Sequence, residues 1–221
     1  MSVLAALTWA MVMTAGTADT AVTAAAATAA TASADAAVRT ISVRLHDYAG
    51  LRDPELLDTQ RQVSAIYAAV GVILEWRIPV HPERVKAGLD DWPSDSAATL
   101  SVLIVSAAMA RSIGIRHDVA GYAAVSPETG GSIAFIVAPR TQRIAESAMV
   151  AHARVLSGVV AHELAHLLMP NRPHSHDGIM RANWQPWEFR FEDRRTFSRA
   201  EADTIRRGVA RLSQVARQAD N

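Results

Sequence analysis

The stretch VVAHELAHLLMPNRPHSHDGIM, from Val159 to Met180, decides how this chain is read. Four histidines, one glutamate and one aspartate crowd into the end of an apolar helical pattern and the loop behind it. Imidazoles and carboxylates are costly to bury unless each finds a partner. A single metal ion could satisfy several of them together. His162 and His166 lie four residues apart, on one helix face, with Cβ atoms about 5–6 Å apart. That separation lets two imidazole nitrogens converge on one ion at about 2.0–2.1 Å. Glu163 is offset by roughly 100° around the helix, so its carboxylate can reach a water at the ion without taking a ligand position. Gly158 lies one turn earlier and bares the backbone on the ligand face. Val155, Leu156, Val160, Leu164, Leu167 and Leu168 cover the other faces and anchor the helix in a core.

Working outward, the helical pattern begins near Ile144, and Pro170 stops it. Before it lies the strand Ser132 to Val137, introduced by Gly130-Gly131 and closed by Pro139. Thr40 to Leu45 alternates as a half-buried strand does, and Val72 to Ile78 and Thr99 to Ser106 read as further strands, the last apolar enough to be central. Asp53-Pro54 opens a helix running to Gly71, with Asp53 as N-cap. Gly121 to Val125 has no settled type, and His81 to Ser96 reads as a loop. A final amphipathic helix starts from Ser198, with Glu201 completing a capping box, and ends near Ala216. This order predicts an α+β, α/β-like domain over residues 39–221: one twisted mixed sheet, two long helices packed on it and a C-terminal helix.

Residues 1–38 are different material. Val3 to Met13 is an apolar run too short to span a bilayer, followed by small residues at Ala15 to Ala18. Residues 1–18 therefore read as a cleaved export signal, without a basic residue ahead of the run, and the expected location is secreted or periplasmic, with no stable membrane insertion. The alternative is a bland alanine-rich leader. Residues 19–38 are Ala/Thr low complexity and read as a linker. Among all 221 residues there is no cysteine, which excludes thiolate ligands, cysteine nucleophiles and disulfides. A formal net charge of zero gives no electrostatic pull toward nucleic acid.

The pattern His162-Glu163-x-x-His166, then a downstream histidine, then Gly178-Ile179-Met180, resembles the metzincin branch of the zincin metallopeptidases. More closely, HELAHLL followed by HSHDGIMRANW is similar to a group of exported bacterial metzincin-like proteins ending in HSxxGIMRAxW. The resemblance covers about Val159 to Trp184. It implies one catalytic Zn²⁺ held by His162, His166 and a third histidine, a fourth position left for water, Glu163 as general base and Met180 as the Met-turn residue beneath the site. The implied substrate is a peptide or protein, docked along the edge strand before the active-site helix, here Ile133 to Val137; a plain edge strand is the alternative. Two positions depart from the metzincin motif: Met169 stands where it has glycine, and Arg172 where it has the third histidine.

The return of the chain is therefore made differently, with Pro170 and Asn171 turning it and two extra residues before His174. His174 fits the resemblance as third ligand, and His176 is the alternative. Asp177 is a candidate to orient a ligand imidazole, or plain turn chemistry with Gly178. Met180 is equally readable as a core methionine, and Trp184 and Trp187 as packing residues or as pocket walls. No tyrosine follows Met180, which leaves Tyr122 as a weak candidate to stabilise an oxyanion. His46, His81, His117 and His152 lack ligand spacing. Two other functions stay open: a zinc hydrolase acting on a non-peptide amide bond, and a non-catalytic zinc-binding protein.

Overall fold

A computed structural model of the chain describes residues 39–77, 99–125, 132–170 and 172–219. The leader and linker readings, His81, Asn171 and Gly130-Gly131 lie outside the described residues. Strands β1 (Arg39–Asp47), β2 (Val72–Arg77), β3 (Thr99–Val105), β4 (Gly121–Val125) and β5 (Ser132–Val137) form one sheet in the order β2-β1-β3-β5-β4. The first four in that order run parallel, and β4 is antiparallel to β5. Helices α1 (Asp53–Ala68), α2 (Ala107–Ser112), α3 (Ala138–Ala148), α4 (His152–Leu168) and α5 (Arg199–Ala219) surround it. This is the mixed α/β domain expected from the alternation of strand and helix patterns.

One face of the sheet carries the main core. Ile41, Val43 and Leu45 alternate inward from β1, and Leu100, Val102 and Ile104 join them from β3. Against these pack Val63 and Tyr67 of α1, the apolar faces of α4, and Ile205 and Val209 of α5. The Tyr67 hydroxyl donates to the Ala161 carbonyl at 3.0 Å, fixing α1 to the middle of α4. The opposite side chains of β3 and β5, Leu103, Val105 and Val137, pack with Ala110 of α2. Among the described residues no helix is long and apolar enough to cross a membrane.

Several expectations change. The strand Ser132 to Val137 is not an edge: β3 flanks it on one side and β4 on the other, with Tyr122 paired to Phe135. Gly121 to Val125 takes the edge position, because its small residues pack antiparallel on β5. The single helix expected from Ile144 is two, and Pro139 sits in the first turn of α3 instead of ending the strand. The break comes at Met149, left-handed at φ 55. There Met149 N–H donates to Glu146 O and Val150 N–H to Ala145 O, both at 3.1 Å. These are the paired bonds of a Schellman cap, made without the glycine that usually signals one. Arg52, not Asp53, is the N-cap of α1, which places Asp53 in the first turn where a negative charge favours the helix dipole. The capping box of α5 forms as read: Ser198 N–H donates to Glu201 Oε2 at 2.7 Å, and Glu201 N–H to Ser198 Oγ at 3.3 Å. Helix α2, capped by Ser106, and a 3₁₀ turn at Pro186–Arg190 had no reading in the sequence.

Candidate metal centre

Helix α4 delivers the first two histidines because its other faces are buried: Val155, Leu156, Val160 and Leu164 are fully inaccessible. The chain leaves the helix at Met169, whose N–H still donates to Ala165 O at 2.8 Å, and comes back through His174. Nε2 of His162, His166 and His174 then form a nearly equilateral triangle. Its edges are 3.0 Å (His162–His166), 3.1 Å (His166–His174) and 3.2 Å (His162–His174). Ligands at 2.0–2.1 Å in a tetrahedron lie about 3.3–3.4 Å apart, close to these edges. Hydrogen bonds do not explain the triangle. Each Nε2 has one site in its ring plane, a lone pair or a proton, and cannot serve two neighbours at once. The donor set and its spacing fit a small cation such as zinc.

His162 is oriented by a backbone group: its Nδ1 lies 2.7 Å from the Ile179 carbonyl. A carbonyl only accepts, so Nδ1 carries the proton and Nε2 keeps its lone pair for the triangle. Burial, with the neighbouring His166 and His174 charges adding to it, holds the His162 imidazole down to about 4 despite the Ile179 bond. His166 is lowered too, by burial first and then by His174. Both are neutral near pH 7, the form that ligates metal.

The His174 loop is tied down from behind. Ser175 N–H donates to Met180 O at 2.8 Å, and Ser175 bridges to Arg181. The Ser175 hydroxyl donates to Glu201 Oε1, so the fully buried carboxylate that caps α5 also anchors the residue after His174. Ile179 N–H donates to Thr196 O at 2.9 Å. Gly178 is required at this turn: its φ is 72, and a Cβ would meet Thr196 O at 2.6 Å. Ile179 and Met180 are both fully buried in the main core.

Glu163 is 7% exposed, and burial pushes its carboxyl up to about 8. It lies against Gly121, the first residue of β4, where an added Cβ would come within 2.5 Å of Glu163 Oε1. Glu163 and the three histidines line one cavity of about 1120 Å³, open between β4 and the segment Arg181–Phe189. Tyr122 lines it too, half exposed on the edge strand. Trp184 forms part of the wall, stacked on Phe189 at 4.6 Å between centroids, with its Nε1 donating to Ile179 O. Gly158 is covered by the Phe189 ring, whose edge an added Cβ would meet at 3.0 Å.

Three residues sit apart from this group. His176 is exposed and outside the histidine cluster. Asp177 does not orient an imidazole: its carboxylate is 83% exposed and faces Arg194 at 3.8 Å. Trp187 is half exposed, its ring edge-on to Phe191 at 6.0 Å between centroids. His152 is held between Glu55, at Nδ1, and the Thr141 hydroxyl, 2.7 Å from Nε2. Sequence reasoning missed the Ile179 carbonyl and Gly121, for which it held no signal. It read Glu201 as a cap but not as the anchor of Ser175.

No protein-family model matches the chain, and no curated protein matches its sequence. Among solved structures, the chain is similar to archaemetzincin from Methanopyrus kandleri at 15% sequence identity and a TM-score of 0.48. The alignment covers 77% of this chain and 96% of that one. A likeness this distant says nothing about the chemistry of this chain, which has to be read from its own residues.

Proposed function

We propose that this protein is a zinc-dependent hydrolase of the peptidase type, with His162, His166 and His174 holding one zinc ion and Glu163 acting as general base. The observation that carries the reading is the triangle of Nε2 atoms, 3.0–3.2 Å on each side, with a carboxylate from the same helix beside it and a cavity in front. When bound, zinc supplies Lewis-acid polarisation of a carbonyl and an acidified water. The chain's own residues do the rest. Nδ1–H of His162, held on Ile179 O, keeps that imidazole in its ligating tautomer. Glu163 accepts a proton at its carboxylate and returns it to the departing nitrogen. A nearby dication favours the ionised carboxyl and opposes the effect of burial, which lets the base work near neutral pH.

The peptide class rests on the shape of the entrance. The outer side of β4 is a sheet edge beside Glu163, and an extended chain can add to such an edge through main-chain hydrogen bonds. Purified protein is expected to bind one equivalent of zinc and to cleave an unstructured protein such as casein. Glu163→Gln should keep the zinc and lose cleavage by about 10²–10⁴-fold, the usual weight of a general base. Full activity in that variant, or failure to take up zinc, overturns the assignment.

A further inference from the structure

Among the described residues, one arginine and no lysine lines the cavity. We propose that Arg181 is the residue with which this cavity grips a carboxylate on its substrate; the inference rests on the peptidase reading and names the substrate feature that reading leaves open. Arg181 lines the same cavity as the three histidines and Glu163. Its backbone is bridged to Ser175, the neighbour of His174, so it is fixed beside the candidate metal centre.

Its side chain is held at one corner only. Nη1 donates to Glu188 Oε1, and the Glu188 side chain is 4% exposed while that of Arg181 is 35% exposed. The other oxygen of Glu188 is taken by the Gln185 N–H at 2.7 Å. A guanidinium has five N–H donors in a planar fork. Among the described residues, Glu188 is the only partner found for this one, so the edge formed by Nε and Nη2 keeps its donors for the cavity. Here a buried acid orients the arginine and leaves its second edge open.

Because Arg181 and Glu188 together are neutral, their long-range field is weak. Recognition therefore comes from two directed N–H bonds to a planar partner, the geometry in which a carboxylate matches arginine and not lysine. The stacked rings of Trp184 and Phe189 in the same wall give the stem of an acidic side chain an apolar surface. The carboxylates facing the cavity among the described residues are Asp118, already bonded to Arg116, and Glu163. The carboxylate could be an aspartate or glutamate side chain, or the substrate's own C-terminus. Both present the same chemistry.

The test uses the full-length chain stripped of metal with a chelator, so that it is independent of hydrolysis. Acetylated hexapeptides of alanine and glycine carry one glutamate scanned through each position, each made as the C-terminal acid and the C-terminal amide. Glutamine peptides serve as controls, and binding is read by tryptophan fluorescence and calorimetry up to millimolar peptide. One placement of the carboxylate is expected to bind about tenfold to a hundredfold tighter than its amide counterpart, the usual weight of hydrogen bonds to a charged group. A preference for glutamate over glutamine assigns a side-chain carboxylate; a preference for the C-terminal acid over its amide assigns the C-terminus. Arg181→Gln should abolish the difference. Arg181→Lys, which can keep the Glu188 pair and hence the fold, should lose most of it. Equal binding of glutamate and glutamine peptides together with equal binding of C-terminal acids and amides, no binding of any peptide, or a preference unchanged in Arg181→Lys overturns the proposal. Because zinc is absent, none of these outcomes depends on whether the protein is a peptidase.

Discussion

Replacing Gly121 by alanine puts one methyl group against the base. The new Cβ would stand 2.5 Å from Glu163 Oε1, 2.6 Å from Cγ and 2.9 Å from Cδ. Non-bonded carbons rest at about 3.5–4.0 Å, so roughly 1 Å has to be opened. Two things can give way. Strand β4 is paired to β5 from Gly121–Ile136 to Val125–Ser132, and moving it breaks ladder bonds. The Glu163 side chain turns about single bonds and is the softer of the two. The carboxylate should therefore swing by about an ångström, while the fold loses only the roughly 1–3 kcal/mol of an overpacked site. A reacting group misplaced by that much costs on the order of a hundredfold in rate.

The assay is a double-mutant cycle, followed by urea unfolding and by peptide cleavage at measured zinc content. Gly121→Ala alone should keep zinc and lose about a hundredfold in kcat/KM. In a Glu163→Ala background the methyl has room, and the same substitution should cost almost no stability, a coupling of about 1 kcal/mol or more. Equal destabilisation in both backgrounds would show that the clash lies elsewhere. Undiminished cleavage by Gly121→Ala would show that the position of Glu163 does not govern the reaction.

Zinc at a hundredfold excess over its Kd should raise the stability of the wild type and of His176→Ala by about 2.7 kcal/mol, and that of His174→Ala hardly at all; the reverse pattern in thermal unfolding would hand the third position to His176. The metal-free protein should lose stability between pH 6.5 and 8. The folded Glu163 carboxyl, raised to about 8, holds its proton while the unfolded one has lost it, so the gain from burying the neutral acid fades as pH climbs. Over that window the loss is roughly 2 kcal/mol, and Glu163→Gln should remove it. His162 acts in the opposite sense at lower pH: held down to about 4 in the folded state, it costs stability as pH falls from 6.5 toward 4. A urea midpoint that stays level from pH 6.5 to 8, or one that falls equally in Glu163→Gln, refutes the Glu163 statement, and one equally acid-sensitive from pH 6.5 to 4 in His162→Gln refutes the His162 one. Glu201→Ala deletes the acceptor shared by Ser198 N–H and Ser175 Oγ and should cost roughly 2–4 kcal/mol. It should also weaken zinc binding; unaltered zinc affinity alongside the lost stability would show that the His174 loop holds itself.

What the sequence could convey here depended on how local each cause is. His162 and His166 were legible because the distance between them is set by one helical turn, and the apolar residues on the remaining faces say how that turn is buried. Glu201 was legible as a cap because its partner, Ser198, is three residues away. Its second oxygen serves Ser175, twenty-six residues distant, and no local pattern announces that. The same reason hid the Ile179 carbonyl behind His162 and the contact of Gly121 with Glu163, since both depend on where two separate segments meet. The choice between His174 and His176 falls between these cases. Both lie on the returning loop, and only the tie from Ser175 to Met180 and Glu201, made after the C-terminal helix docks, turns one toward the helix and leaves the other in solvent. Met149 misled for a different reason: a left-handed cap at a residue with a large side chain gives no glycine to read, so two helices looked like one. The strand taken for an edge erred through β4, where Gly121, Ala123 and Ala124, poor strand formers, separate and flank Tyr122 and Val125, so that its strand identity is fixed by pairing with β5. The histidine pair was therefore readable from one segment, whereas the Ile179 carbonyl behind His162, Gly121 against Glu163 and Glu201 behind the His174 loop take their places only when separate segments pack. Of these, Gly121 is the position where a substitution should separate a folded protein from a working one.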